Sequence, residues 1–382
     1  MNLPAGTAGN IVSVVDYTNT FQTNGLTITP NGSQKIGGVN ANFTASTEGQ
    51  SVTFVYVDDT EGWKNVQDST SNAVGNPFLQ ATGGTVTTSG DCKIHTFTGP
   101  GTFTVTNASS TAAENVVSYL IIAGGGASGT GQGTGGGGGG GFREVKSPLT
   151  PYTASPLDGY PSSPNRVTVT AQAYSVVVGS GGALVPGTPG AQFQGNPGGT
   201  SSFGGISSAG GGGGGGGGGA PVPVGSGVAG GSGGGGGGRG CGGTKTGGAG
   251  NTPPVSPAQG SAGGDATTST SSPTVDSGGA GGGASATGGQ GTASDKGGTG
   301  GAGHTTSITA SPVTYAGGGS GGSEVGGTRP AQPGGGGQGG GTGTPGTAGT
   351  VNLGGGGGGT GNDPLEPKNG GSGIVIIRYK YQ

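Results

Sequence analysis

The chain has 382 residues, of which 107 are glycine, 27% are hydrophobic and 8% are charged, and its formal net charge is −3. So few charges leave no basic surface for nucleic acid, and no run of about 20 apolar residues could form a transmembrane helix, so we expect neither nucleic-acid binding nor membrane insertion. The first residues, MNLPAGTAGN, lack the charged and apolar regions of a secretory signal.

Residues 1–70 are predicted to form an all-β module. Short segments rich in β-branched residues recur along it, namely 11–17 (IVSVVDY), 26–29, 39–44 and 51–57 (SVTFVYV). Asn-Gly pairs at 24–25 and 31–32 mark turns between these segments, and Trp63 follows the last one. Closely spaced strands separated by turns indicate a small β-sandwich.

Residues 71–123 are also predicted to be β-structure. Segment 93–106 (KIHTFTGPGTFTVT) alternates on both sides of Thr-Gly-Pro-Gly, which predicts a β-hairpin leading towards the glycine-rich part. Residues 116–123 (VVSYLIIA) form the most apolar segment and run directly into glycine. No stretch of the chain combines helical periodicity with helix-forming residues, so the predicted fold class is all-β.

Residues 124–382 form the predicted glycine-rich domain, and 93 of the 107 glycines lie between Gly124 and Gly373. Apolar islands interrupt the glycine at 166–178 (RVTVTAQAYSVVV), 201–208, 307–316 and 350–353, and the region closes with 373–379 (GIVIIRY). We interpret the islands as strands of one small β core and the glycine segments as excursions between them. The two most apolar segments, 116–123 and 373–379, are expected to lie in one sheet.

The glycine excursions are predicted to be polyglycine II helices. Collagen requires glycine at every third position, and that period is absent. A polyglycine II helix has three residues per turn and no internal hydrogen bonds. Such helices bond to parallel neighbours, and only a hydrogen atom fits where two of them touch. Disorder is the alternative, but the regular islands and the balanced charge of this region favour order.

No motif indicates catalysis, a cofactor or a metal site, so the protein is expected not to be an enzyme. Gly-x-Gly-x-x-Gly occurs by chance in this composition, and no helix follows it to receive a phosphate. The two histidines, His95 and His304, are too few for a multi-histidine metal site. The acidic corner at 58–61 is interpreted as a solvated turn rather than a cation site. Cys92 and Cys241 permit one disulfide, but two free thiols are favoured.

Two tyrosines are candidates for surface recognition. Tyr152 and Tyr160 lie in the proline-rich insert 147–165, and tyrosines on rigid loops suit carbohydrate or protein binding. The alternative is that they only cover a sheet edge. Asn31, Asn42 and Asn107 stand in Asn-x-Ser/Thr sequons and are possible glycosylation sites, although such sequons also occur at random.

Nearly the whole chain resembles glycine-rich tail-fibre and structural proteins of marine phages, notably cyanophages. The resemblance is carried by GNIVSVVDYTNTFQTNGLTITPNGSQKIGG and SVTFVYVDDTEGWKN, and then by YLIIAGGGASGTG, SSFGGISSAGGGGG, VTYAGGGSGG and GGSGIVIIRY. It implies a non-enzymatic appendage of the virion, similar in principle to phage adhesins with packed polyglycine II helices, and it provides no catalytic residues.

The predicted function is a structural and adhesive appendage protein, virion-borne or extracellular, that forms homo-oligomers and contacts a host surface glycan or protein. In similar proteins a strand usually precedes the LPAGT-like segment, whereas the present numbering starts there. We therefore expect an open sheet edge that a neighbouring copy can fill. The alternative function is a fibril subunit that polymerises through such edges without a specific ligand.

Overall fold

The computed structural model describes residues 1–69, 78–185, 192–218, 224–238, 245–267, 277–292, 296–361 and 366–382. The chain divides into two compact units, Met1–Asn76 and Pro77–Gln382. The helix within the described residues is a single 3₁₀ turn at Ala112–Asn115, and no described helix is long and apolar enough to cross a membrane.

The N-terminal unit consists of two small antiparallel sheets around one core. Its strands are β1 (Ile11–Val15), β2 (Leu26–Ile28), β3 (Phe43–Ala45), β4 (Ser51–Tyr56) and β5 (Trp63–Ser69). One sheet has the order β1-β4-β5, and the other is the pair β2-β3. Ile28 from the pair packs with Val52, Phe54 and Trp63 from the three-stranded sheet. The prediction of a small sandwich is confirmed, with β3 starting four residues later than expected.

The described residues of the larger unit form thirteen short strands. They are β6 (Gln80–Thr82), β7 (Thr85–Ser89), β8 (Cys92–Phe97), β9 (Gly101–Asn107), β10 (Val116–Ile122), β11 (Phe142–Val145), β12 (Val167–Thr168), β13 (Ala173–Val177), β14 (Ser201–Phe203), β15 (Ile206–Ser208), β16 (His304–Thr306), β17 (Val313–Tyr315) and β18 (Ile374–Lys380). One sheet has the order β11-β10-β18-β8-β7 with β12 beside β10, a second has the order β15-β14-β13-β9-β6, and β16-β17 form a separate pair.

Strands β10 and β18 lie side by side within the first of these sheets. They pair antiparallel, with Ile122 opposite Ile374 and Ser118 opposite Arg378. The predicted pairing of segments 116–123 and 373–379 is therefore confirmed. Because β10 precedes the glycine-rich excursions and β18 follows them, this pairing joins the two ends of that region.

Strands β10 and β18 are buried on both faces of their sheet. Successive side chains of a strand point to opposite faces. Tyr119 and Ile121 of β10 pack in the core shared with the second sheet, whereas Leu120 and Ile122 pack in another core with Phe142. A strand buried on both faces has no polar face, which explains the continuous apolar sequence.

The predicted hairpin over residues 93–106 is wrong. Strands do form on both sides of Thr-Gly-Pro-Gly, but β8 pairs with β7 and β18, whereas β9 pairs with β6 and β13. The connection therefore moves the chain from one sheet to the other. This course places Phe97 and Phe103 in the core between the two sheets, where both are buried.

Two islands also differ from the prediction. The island 350–353 contains no strand and turns at 351–353, although Leu353 packs against the core around Phe142. Within 307–316, the strand is limited to Val313–Tyr315, and it pairs with His304–Thr306 outside the two main sheets. These islands contribute single apolar side chains to a core without extending its sheets.

The glycine run at residues 135–141 shows how the glycine-rich part is ordered. All seven of its amides donate to other runs, and each neighbour recurs at every third residue. Gly135 donates to Gly215 O at 3.0 Å and Gly138 donates to Gly212 O at 2.8 Å. Likewise, the amide of Gly141 bonds to the same neighbour at Ala209 O, 2.8 Å away. The remaining amides of the run donate to carbonyl groups of two further runs, again with each run accepting from every third residue.

The carbonyl groups of this run bond to three additional neighbours. Gly138 O accepts from Gly126 N at 2.8 Å, Gly136 O accepts from Gly235 N at 2.8 Å, and Gly137 O accepts from Gly319 N at 2.9 Å. Six runs thus surround the central one, at residues 123–130, 209–218, 228–238, 277–284, 316–323 and 354–361. We call this array the polyglycine lattice. A three-residue repeat with bonds only between runs is the pattern predicted for polyglycine II. The neighbours are not all parallel to the central run as predicted: run 277–284 is parallel to it, whereas runs 209–218 and 354–361 are antiparallel.

Glycine is required in the lattice because neighbouring backbones touch. A Cβ atom on Gly137 would lie 2.0 Å from Gly126 O, and one on Gly140 would lie 2.0 Å from Ala123 O. Both glycines are buried. Since the obstructing atoms belong to hydrogen-bonded backbone, a side chain at these positions cannot be accommodated by a change of rotamer.

We therefore expect Gly137→Ala to lower the free energy of unfolding of the larger unit by about 3 kcal/mol. The matched control is Gly327→Ala, because no atom lies within 4 Å of its added Cβ and its φ is outside the left-handed region. The control should change the unfolding free energy by no more than about 0.5 kcal/mol. Urea unfolding followed by circular dichroism measures both. Equal losses at the two positions would contradict a close-packed lattice.

A buried histidine links two strands of the first sheet. His95 Nδ1 donates to Gly83 O at 2.7 Å, because a carbonyl can only accept, so Nε2 is left to accept from the Tyr379 hydroxyl at 3.2 Å. The same hydroxyl accepts from Ala81 N at 3.1 Å. Burial is the main cause that lowers the pKa of His95, and the contact to Gly83 offsets it in part.

This pKa shift predicts a loss of stability in mild acid. The unfolded chain takes up a proton near pH 6.5, whereas folded His95 stays neutral, so the unfolding free energy decreases as the pH falls below about 6.5. The slope is at most about 1.4 kcal/mol per pH unit for one proton. His95→Phe should flatten this dependence between pH 7.5 and 5. Burial also lowers the pKa of His304. His304 is present in both the wild type and the variant, so it contributes equally to the pH dependence of both.

The N-terminal unit is an internal control for this experiment. It contains no histidine, and Trp63 is the single tryptophan of the chain. Tryptophan fluorescence should therefore report an unfolding transition that hardly moves over the same pH range. If the wild type and His95→Phe lose stability equally on acidification, His95 is not responsible.

Candidate functional site

Tyr152 packs on the second core rather than extending from a loop tip. Its ring is partly buried, and its hydroxyl donates to Val145 O at 3.4 Å. Lys146 Nζ lies 5.6 Å and Arg378 Cζ lies 5.4 Å from the ring centroid. Burial is the main cause that raises the pKa of Tyr152. Its ring is therefore already engaged, and its role in recognition remains a prediction.

Tyr160 is also partly buried, and it packs against the core between the two large sheets. Of the sequon residues, Asn31 and Asn42 are exposed. Asn107 is half-buried, and its Nδ2 donates to Phe78 O at 2.9 Å. Asn31 and Asn42 are thus accessible for glycan attachment, whereas a glycan on Asn107 would compete with this bond. Glycosylation and recognition at these positions remain predictions.

The acidic corner and the cysteines provide no further site. Asp58 accepts from the amides of Thr60 and Glu61 at 2.8 and 2.7 Å, as in a capped turn, and Asp59 accepts from the Tyr56 hydroxyl at 2.5 Å. Within the described ranges, no three His, Cys, Asp or Glu side chains converge as metal ligands. Cys92 is a buried free cysteine, and Cys241 lies outside the described residues.

A cleft of about 520 Å³ lies beside β11 and the β14–β15 hairpin. We call it the Arg143 cleft. Strand β11 directly follows the central run of the lattice, so the lattice positions its side chains. Its lining is completed by segments 162–165 and 253–259, and the lining residues are Arg143, Ser162, Pro164, Asn165, Thr200, Gly205, Ile206, Ser207, Ala209, Pro253, Val255, Ser256 and Gln259.

Arg143 is the only charged residue in the described lining. The residue is 7% exposed, and its Nη2 donates to Asn165 Oδ1 at 2.5 Å. No carboxylate of the described residues lies within ion-pair distance of it. Burial lowers the pKa of the Arg143 guanidinium, and the nearby Tyr119 hydroxyl acts in the opposite direction. A guanidinium nevertheless stays charged in proteins, so the cleft contains an uncompensated positive charge.

Asn165 and Gln259 fix the floor of the cleft. Asn165 Nδ2 donates to Ser256 O at 2.9 Å, and its main-chain carbonyl accepts from the Tyr119 hydroxyl at 2.6 Å. Gln259 Oε1 accepts from Ala209 N at 2.8 Å, and its Nε2 donates to Pro253 O at 2.7 Å. Asn165 thus ties segment 162–165 to segment 253–259, and Gln259 ties segment 253–259 to the residue that follows the hairpin.

Glu144, next to Arg143 in sequence, points to the opposite face of β11. It is 2% exposed and does not pair with Arg143. Its carboxylate accepts from Ser155 N at 2.9 Å and from the Thr306 hydroxyl at 2.5 Å. Burial raises the pKa of Glu144, and these two hydrogen bonds offset part of that rise. Glu144 therefore orders the insert, while Arg143 is left to face the cleft.

Sequence reasoning missed this cleft. Strand β11 (FREV) was not predicted, because four residues are too few to show a period. The available signal was the pair Arg143-Glu144 between Phe142 and Val145, since adjacent charges on a short apolar segment alternate between faces when the segment is a strand. The other lining residues lie 19 to 116 positions further along the chain, so only the fold brings them together.

Comparison with known proteins agrees with this architecture. No curated protein matches the chain. A family described as the glycine-rich domain matches residues 96–380. The matched region begins in β8 and ends in β18, which are paired strands, so it contains the polyglycine lattice and the strands that close it. The chain therefore belongs to the glycine-rich domain family.

Proposed function

We propose that this protein is a non-enzymatic structural and adhesive component of a virion or extracellular appendage, similar in role to a phage tail-fibre protein. The observation that carries the proposal is the polyglycine lattice, in which six runs surround a seventh through bonds at every third residue. Such an array forms a rigid body whose interior is mainly backbone, and it offers few side chains for chemistry.

The shape of the lattice also supports a presenting role. Run 123–130 leaves the sheet after β10, the chain turns at 131–133, and run 134–141 returns to β11. The turn is therefore at the end of the lattice remote from the sheet, and it is tied there by Gly133 N donating to Gly361 O at 3.1 Å. A support of this kind holds its turns in fixed positions, which suits contact with a host surface.

Location is the direct test of this proposal. Gold-labelled antibodies raised against the larger unit would be applied to unpermeabilised cells and particles of the organism or virus that carries the gene. We expect label on the outer surface of particles or cells. The control is an antibody to a known cytoplasmic protein, which should label only after permeabilisation. Label confined to permeabilised cells would refute an appendage role.

A fibril subunit is the second candidate function, and the edge strand β1 favours it. Among the described strands β1 pairs only with β4. Ile11 is 66% exposed and Val15 is 57% exposed on this edge. Natural proteins usually protect an edge with charge or proline, because an apolar open edge is a template for another chain. Addition of a strand from a second copy would cover it.

Lysine substitution separates the two functions. If the protein polymerises through β1, negative-stain images should show filaments that lengthen with concentration, and Ile11→Lys with Val15→Lys should abolish them. Val325→Lys is the control, because Val325 is 53% exposed but lies in the other unit. Discrete particles at every concentration, unchanged in the double variant, would eliminate the fibril function.

A further inference from the structure

We propose that the Arg143 cleft binds the carboxylate-bearing sugar of an acidic glycan, with the carboxylate on the Arg143 guanidinium. The inference deepens the proposed adhesive function by naming a ligand class, and it depends on that function only for where the glycan is encountered. Three features of the cleft carry the assignment: an unmatched positive charge, a rim of free hydroxyls and apolar walls.

The charge requires an anion. A guanidinium has five N–H donors in a planar fork, and Arg143 uses one of them on Asn165. The other polar side chains of the floor, Asn165 and Gln259, already bond to backbone groups. Arg143 is therefore the charged residue of the described floor, and four of its five donors have no described partner. Because a fork of this geometry matches a carboxylate, the ligand group that fits is an acid.

The position of Arg143 is preorganised for binding. Asn165 accepts from it while bonding to Ser256 O and to the Tyr119 hydroxyl. Arg143 as a whole residue is 7% exposed, so the attraction of its guanidinium for an anion is screened less than that of a surface side chain. Folding has therefore already oriented and desolvated the cation. The ordering and desolvation costs that a ligand would otherwise incur on binding are lower for this reason.

The rim matches a polyhydroxyl compound. Ser162, Thr200, Ser207 and Ser256 line the cleft with exposed side chains, and their hydroxyls make no hydrogen bond to any described residue. Each hydroxyl can donate and accept, as each hydroxyl of a sugar does. A peptide carboxyl terminus would instead need free backbone amides and a pocket for its last side chain. The rim therefore favours a saccharide over a peptide.

The walls and the size agree with one sugar ring. Pro164, Ile206, Pro253 and Val255 provide apolar surface on which the C–H groups of a pyranose can pack. The volume of about 520 Å³ falls within the usual range for small-molecule sites, about 300–1,000 Å³. Apolar walls with a few convergent polar groups are the usual composition of such a site.

The test is titration of the full chain with D-galacturonate, D-galactose and acetate, followed by ligand-observed NMR. We expect galacturonate to bind at least tenfold more tightly than either galactose or acetate, and to weaken at higher salt. Arg143→Gln should weaken galacturonate at least tenfold, and Arg143→Lys severalfold, since lysine keeps the charge but lacks the fork. Lys146→Gln is the control, because it removes a nearby cation that does not line the cleft.

A second variant keeps the test decisive if Arg143→Gln does not fold. Thr200→Val with Ser207→Ala alters only exposed rim groups, so the fold should persist, and the affinity for galacturonate should fall towards that for acetate. Folding of each variant is checked by circular dichroism. Unchanged galacturonate affinity in folded Arg143→Gln, or no binding by the wild type, would overturn the proposal.

Other ligands define the remaining outcomes. If acetate binds as tightly as galacturonate, the cleft recognises only a carboxylate, and the proposal of a sugar ligand is overturned. A tripeptide with a free carboxyl terminus that binds more tightly than galacturonate would replace the sugar by a peptide and overturn the proposal. External antibody label without galacturonate binding would reject this cleft assignment alone. If galacturonate binds but the antibody labels only permeabilised cells, the appendage role is rejected and the cleft assignment remains intact.

Discussion

Backbone hydrogen bonding between glycine runs is the interaction on which the larger unit depends. Buried N–H and C=O groups must be paired, and a run without internal bonds can pair them only with other runs. The close contact this requires leaves no room for Cβ at positions such as Gly137 and Gly140. Glycine is thus present because the packing surface is the backbone itself, and the regular three-residue repeat of partners follows from the helix geometry.

A lattice of this kind gains little from the hydrophobic effect, so it needs anchoring. Ordering a residue costs about 1–2 kcal/mol of backbone entropy, and glycine costs more than other residues. One backbone hydrogen bond contributes about 0.5–1.5 kcal/mol net, which is of similar size and opposite sign. The surplus stability has to come from the apolar sheet, where the antiparallel pair β10–β18 joins both ends of the glycine region. Its two buried faces connect the core between the two large sheets to the core around Phe142.

The same architecture accounts for an isolated charge in an apolar setting. Strand β11 continues from the central run, and its alternation sends Arg143 and Glu144 to opposite faces. Glu144 is satisfied by Ser155 and Thr306, whereas Arg143 has a single described hydrogen bond and borders a cleft. Separation of two adjacent opposite charges prevents them from neutralising each other. A buried cation without a paired acid is costly for stability alone, which is why we assign it to binding.

Three features were determined by the sequence alone: the all-β class, the ordered rather than disordered state of the glycine region, and the pairing of 116–123 with 373–379. Each follows from local composition, since a continuous apolar strand must be buried on both faces and glycine without side chains can pack only through its backbone. Only the tertiary structure decided that β8 and β9 lie in different sheets, because an alternating pattern specifies which side chains are buried and not which strand is the partner. The tertiary structure also created the Arg143 cleft, because its lining residues come from four separate stretches of chain. No local pattern records that convergence, because it results from long-range backbone pairing in the lattice.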